Sequence, residues 1–124
     1  MLPADHRLTS PDDFRRTIRS GSKQVTPTVI VHCSRLDRVD RVDGMESTAP
    51  ARFGITVSKA VGGSVVRHRV SRRIRHAIAD AMKDPSIEIP PGSRWVLRAL
   101  PRAAEADVAS DVRTAIARTV LKSG

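Results

Sequence analysis

The sequence predicts an α+β fold, a small mixed sheet packed with helices in the order α-β-β-β-α-β-α, and three observations lead there. A short run rich in β-branched residues, Thr28 to Ser34, suits a strand better than a helix. Phe53 to Lys59 alternates apolar and small or polar residues, and beyond Gly62-Gly63-Ser64 the apolar period lengthens from two residues to about 3.6. With 124 residues, 40% of them apolar, the chain makes a single domain over residues 1–124, long enough to bury one core without disulfides.

The opening helix is marked by Ser10-Pro11-Asp12-Asp13, which offers a capping hydroxyl, a proline at the first helical position and two carboxylates on the positive helix end. It ends near Gly21, with Phe14 and Ile18 four apart on one face and Arg15, Arg16 and Arg19 pointing elsewhere. In Thr28 to Ser34, Val29, Val31 and Cys33 share one face, while Ile30 and His32 share the other. Residues 36–51 alternate charges and then turn small and polar, which reads as a surface loop or as the extension of a hairpin. One further strand fits between Lys23 and Ala51.

The strand over Phe53 to Lys59 puts Phe53, Ile55 and Val57 on its buried face and Gly54, Thr56 and Ser58 on the other. In the helix that follows, Val66, Val70, Ile74, Ala77 and Ala81 fall within about 80° of one another on the helical wheel. Lys83-Asp84-Pro85 stops it. Arg94 to Leu100 reads as the last strand, and from Ala104 onward Val108, Val112, Ala115, Ile116 and Val120 recur at helical spacing.

Charge speaks to partners. The 22 Lys+Arg and 13 Asp+Glu leave a net charge of 22 − 13 = +9, which favours phosphate polymers through counterion release. Aromatics are limited to Phe14, Phe53 and Trp95, too few for rows of stacked bases, so contacts to the nucleic-acid backbone should dominate. A lone cysteine, Cys33, excludes an intramolecular disulfide and suits a reducing compartment. No stretch approaches the roughly 18 apolar residues that cross a bilayer, and the N-terminus lacks both the basic and the apolar region of a signal peptide. A cytoplasmic protein with no membrane partner is expected.

Between Arg52 and Ala79 stand the cations Arg52, Lys59, Arg67, Arg69, Arg72, Arg73 and Arg75, with no acid among them. On the helical wheel His68, Arg69, Arg72, Arg75 and His76 lie opposite the apolar stripe, and Arg67 and Arg73 border it. Each guanidinium is a planar fork that matches phosphate oxygens, so this face reads as a phosphate-binding surface. A solvated face balanced by acids is the plainer alternative, but neither Arg69 nor Arg72 has an acid three or four residues away. Amides at Gly62-Gly63-Ser64 add a weaker anion-binding element. His68 and His76, eight apart on a basic face with no nearby Cys or carboxylate, do not make a metal site. His32, taken alone, reads as a satisfied, partly buried histidine. Motifs of self-contained hydrolases and nucleotide-binding loops are absent.

The run Ser58-Lys59-Ala60-Val61-Gly62-Gly63-Ser64-Val65-Val66-Arg67-His68-Arg69-Val70-Ser71-Arg72-Arg73-Ile74-Arg75 closely resembles the signature of the bacterial ribonuclease P protein family. Arg7-Leu8 followed by Asp13-Phe14 and Gly21 resembles the family's opening helix, and Arg52-Phe53-Gly54 its strand entry. Together the resemblance spans most of residues 7 to 120, with the 36–51 loop lacking a counterpart of similar length.

The resemblance implies a left-handed crossover between parallel strands, against the usual preference. It also implies a monomeric protein, one per catalytic RNA, in a holoenzyme that removes the 5′ leader of precursor tRNA. Mg²⁺ would be held by RNA and substrate, and no catalytic residue lies in the protein. Carried to this sequence, the RNA-binding residues are Lys59, Arg67, His68, Arg69, Arg72, Arg73 and Arg75. A shallow cleft between the first helix, the sheet and the arginine helix would hold the single-stranded leader, lined by Phe14, Ile18 and His32, with His32 stacking on or hydrogen-bonding a nucleotide. Departures are His68 for the family's Asn, Gly62-Gly63 for Gly-Asn, Ser71 for Lys and Ile18 for a second aromatic. The alternatives are a general basic RNA-binding or ribosome-associated module without a role in cleavage, and, disfavoured, a stand-alone nuclease using His32, His68 or His76.

Overall fold

The computed structural model describes residues 6–8, 11–34, 51–90 and 92–123, and its order is α1 (Pro11–Ser20), β1 (Ser22–Val25), β2 (Val29–Ser34), β3 (Arg52–Thr56), α2 (Ser64–Lys83), β4 (Arg94–Ala99) and α3 (Val108–Ser123). The additional strand is β1, which returns to β2 through a turn at Thr26-Pro27-Thr28. There the Thr26 hydroxyl donates to Val29 O at 2.7 Å and accepts from Val29 N at 3.0 Å. The Ser10 cap and residues 36–50 of the expected loop lie outside the described residues.

The sheet order is β1-β2-β4-β3. β1 with β2 and β2 with β4 are antiparallel, whereas β3 and β4 run parallel and are joined through α2. Alternation sorts the strands into two faces. Val29, Val31, Cys33, Phe53, Leu97 and Trp95 point into one core with Val70, Ile74, Ala77, Ile78 and Ala81 of α2 and Val108, Val112, Ala115 and Ile116 of α3. Trp95 is fully buried, stacks on Phe53 at 5.7 Å between ring centroids and donates its indole N–H to Ser93 Oγ at 2.8 Å.

α1 packs on the opposite face. Gly54 alternates with Phe53 and Ile55, and a Cβ there would run into the Phe14 ring, so the missing side chain is what lets α1 approach. Gly21 does the same at the helix end, where a Cβ would meet the carbonyls of Thr17 and Cys33. Among the described side chains of α1 the fully buried one is Thr17, whose Oγ1 lies 3.5 Å from Ser34 Oγ; the expected apolar pair fares differently, with Ile18 39% exposed.

Two boundaries differ from the sequence expectation. β3 stops at Thr56 because a turn takes over, with Val61 N donating to Ser58 O and Gly62 N to Lys59 O. α3 starts at Val108, not Ala104: Pro101–Ala104 winds a short 3-10 turn, and Asp107 Oδ1 accepts from Ser110 N at 3.1 Å in N-cap geometry. A long-range tie then fixes α3 to the sheet, since buried Thr28 donates its hydroxyl to Asp111 Oδ2 at 2.6 Å.

Thr28→Val keeps the shape and removes that donor to a carboxylate. It should lower stability by about 1–3 kcal/mol, seen as a lower denaturation midpoint at unchanged slope in a urea titration.

Candidate nucleic-acid interface

α2 carries the charge because its composition divides so sharply. Its apolar stripe is buried against the sheet and α3, and the outer face presents His68, Arg69, Arg72, Arg73, Arg75 and His76 to solvent. The first turn has no acid, and the N-cap Gly63 makes no side-chain cap hydrogen bond. Among the described residues no ion pair engages an arginine of α2; the ion pairs seen are Arg15 with Asp12 at 3.3 Å, within α1, and Arg113 with Asp80 at 3.9 Å, between α3 and α2. Arginines on one helix face without counterions repel, and a polyanion relieves that repulsion. Arg67, at the border of the stripe, is half-buried, with Nε buried and without a hydrogen-bond partner among the described residues. Lys59 is exposed in the turn between β3 and α2.

The second surface is the α1 face of the sheet. Register places Lys23, His32, Val96 and Gly54 in one row across the strands, and Val25, Ile30, Arg98 and Thr56 in the next. Phe14 lies over Gly54 at one side. Val25 is 58% exposed, Ile30 is half-buried, and Lys23 and Arg98 are exposed, so an apolar strip runs between cations. This cleft is walled by α1 and the sheet. The resemblance implied that α2 also walls it, but α2 does not, because α1 and α2 pack on opposite faces of the sheet. Phe14, Ile18 and His32 therefore share one side of the molecule and the α2 cations another.

His32 is 5% exposed on the cleft floor, too covered to offer a ring face for stacking as it stands. Among the described residues its Nε2 has no hydrogen-bond partner, so it is not the satisfied histidine of the plain sequence reading. Burial, with the charges of Arg98 and Lys23, holds its pKa below the ordinary histidine range. Lys23, Val25 and Arg98 escaped the sequence reading. A signal was there for Arg98, since Arg94, Val96 and Arg98 alternate with Trp95, Leu97 and Ala99; Lys23 and Val25 needed the β1–β2 register. No group of three His, Cys, Asp or Glu able to hold a metal occurs among the described residues, and no helix among them is long and apolar enough to cross a membrane.

Comparison with known proteins gives one consistent family. The family model described as Ribonuclease P matches residues 2–122. The ribonuclease P protein component of Streptomyces griseus subsp. griseus is 42% identical over 121 residues, covering 95% of this chain and 94% of the relative. That of Corynebacterium jeikeium is 40% identical over 127 residues, covering 97% and 98%. Among solved structures, the RNase P protein of Staphylococcus aureus superposes with TM-score 0.66 at 21% identity, covering 94% of this chain and 93% of that one. The Thermotoga maritima RNase P protein gives 0.63 at 19%, covering 94% and 96%.

A histidine whose pKa is depressed on folding binds protons more readily when unfolded, so its stabilising effect is complete above the ordinary histidine pKa and is lost as pH falls below it. Stability measured by urea denaturation between pH 7.5 and 5 should therefore fall with pH, and His32→Leu should flatten that fall. An unchanged pH slope in the variant would show that His32 is not buried neutral.

Proposed function

The chain belongs to the ribonuclease P protein family, and from that premise we propose that it is the protein subunit of a ribonucleoprotein that removes the 5′ leader from precursor tRNA. The single observation that carries this is the α2 face on which His68, Arg69, Arg72, Arg73 and Arg75 stand exposed with no acid among the described residues to neutralise them. Bidentate guanidinium contacts to phosphates give such a face its affinity, and each contact releases counterions, so binding weakens steeply with salt. Lys59 and Arg67 extend the surface toward β3.

The leader lies in the α1 cleft under this reading. A single strand suits that surface, since unstacked bases can rest on Phe14, Ile18 and Ile30 while their phosphates meet Lys23 and Arg98. Phosphodiester hydrolysis needs none of this chain's side chains: the cationic α2 face and the absence of a carboxylate or histidine cluster among the described residues do not fit a divalent ion. Mg²⁺ would instead sit on oxygens of RNA and substrate, where it supplies activation of water and stabilisation of the leaving oxygen. What the protein adds is affinity and position, as a monomer with one copy per catalytic RNA. The lone thiol Cys33, which is buried, suits the reducing cytoplasm.

The test is 5′ cleavage of a labelled precursor tRNA at physiological Mg²⁺ by protein alone, by cognate catalytic RNA alone, and by both. Cleavage should require the RNA and rise sharply with the protein. Cleavage by rigorously RNA-free protein would establish a stand-alone nuclease instead, and binding without stimulation a general RNA-binding module. Arg69→Ala or Arg72→Ala should weaken assembly and lower the slope of log K against log salt by roughly one. Phe14→Ala should weaken holoenzyme binding of leader-bearing precursor by about tenfold, as lost base contact predicts, and leave mature tRNA unaffected; an equal loss on both would reject the cleft assignment.

A further inference from the structure

On the α2 side of the β3 edge lies a groove of about 290 Å³ lined by Ile55, Val57, Ser64, Arg67, His68 and Ser71. Its position separates it from the leader cleft, because Ile55 belongs to the core face of β3 and Gly54 and Thr56 to the α1 face. Ser64, Arg67, His68 and Ser71 follow one another at the i, i+3, i+4, i+7 spacing that forms a continuous wall along a helix. The floor is apolar, with Ile55 and Val57 packed against the core yet only partly buried. Its rim holds two hydroxyls, an imidazole and a guanidinium, with no acid.

We propose that this groove holds one unpaired nucleotide of the catalytic RNA, an inference that rests on the α2 face being the surface that meets that RNA. Arg67 Nε is buried without a partner among the described residues, and an unsatisfied guanidinium donor is costly unless a ligand completes it. Arg67 lines the groove, and a phosphate there would draw its guanidinium into the hydrogen bonds that the buried Nε lacks. The apolar floor requires the flat, weakly polar part of a nucleotide, and the Ser64 and Ser71 hydroxyls are placed at the rim where a ribose 2′-OH can both donate and accept. In an A-form duplex the bases are paired and stacked, so none can enter a groove floored by Ile55 and Val57, whereas an extruded nucleotide can. The volume sits at the lower end of the roughly 300–1,000 Å³ range of small-ligand pockets, enough for one nucleotide.

Ser71 leaves the middle of the groove wall open. Where the resembling family carries Lys at this point of the motif, serine gives up a cation and leaves space beside Arg67 and His68. One point charge on phosphate is exchanged for a shaped contact with a nucleotide.

Ser71→Leu fills the groove while leaving every cation in place and raising helix propensity, and Ser71→Ala leaves the groove open. Binding of each protein to the cognate catalytic RNA transcript is measured across a salt series, with thermal denaturation confirming equal folding. Ser71→Leu should bind about tenfold more weakly at unchanged salt slope, the effect of returning roughly 60 Å² of apolar contact to water, while Ser71→Ala, which keeps the groove open and gives up one hydroxyl contact, should lose only about threefold. Base-specific chemical probing should find one unpaired nucleotide of the RNA shielded by wild-type protein and reactive with Ser71→Leu. Wild-type affinity for Ser71→Leu, or no such nucleotide, overturns the groove while the assembly reading stands. A loss confined to leader-bearing precursor, with assembly intact, overturns the catalytic RNA as the source. If wild-type protein does not prefer the catalytic RNA to an unrelated structured RNA of equal length, the parent reading fails and the groove's assignment with it.

Discussion

The cationic face of this protein follows from the parallel pairing of β3 with β4. Parallel neighbours cannot be joined by a tight turn, so the chain between them must cross a face of the sheet. α2 is that crossing, and Val70, Ile74, Ala77, Ile78 and Ala81 hold it there. Once one stripe of the helix is committed to the core, the remaining residues have to face solvent, and in this sequence they are arginines and histidines. The fold thus displays a band of positive charge that no described acid neutralises. Burial of the stripe offsets the mutual repulsion of that band in the free protein, and a polyanion laid on the band would relieve it.

Much of this was legible from the residues. The switch from a two-residue to a 3.6-residue period located β3 and α2, and the wheel separated core from cations before any coordinates. Ile78 joined a stripe already outlined by Val70, Ile74, Ala77 and Ala81. Apolar periodicity set the element order, with one further strand expected between Lys23 and Ala51, and the four-stranded sheet with three helices agrees with it.

What escaped depended on three-dimensional register, for which a single sequence holds little signal. β1 is four residues with mostly exposed side chains and no apolar alternation to announce it, yet its pairing sets Lys23 beside His32. Burial, with the charges of Arg98 and that neighbour, lowers the pKa of His32, which is a covered ring rather than an open one. Thr17 is the buried side chain of α1 although Phe14 and Ile18 carry its apolar pattern, because Gly54 and Gly21 draw the helix so close that only a small side chain fits beneath it. For the same reason the cleft is a matter of α1 and the sheet alone, with the arginine helix on the other side.

Trp95 is the only tryptophan, and the chain has no tyrosine. It lies fully buried, stacked on Phe53 and tied to Ser93, on the face turned away from the α1 cleft. Its intrinsic fluorescence consequently monitors the integrity of the interior and is spatially insulated from both surfaces assigned to nucleic acid. The protein carries a built-in optical gauge of folding that titration with RNA leaves unquenched by direct contact, so unfolding and complex formation can be followed in one cuvette as separate signals.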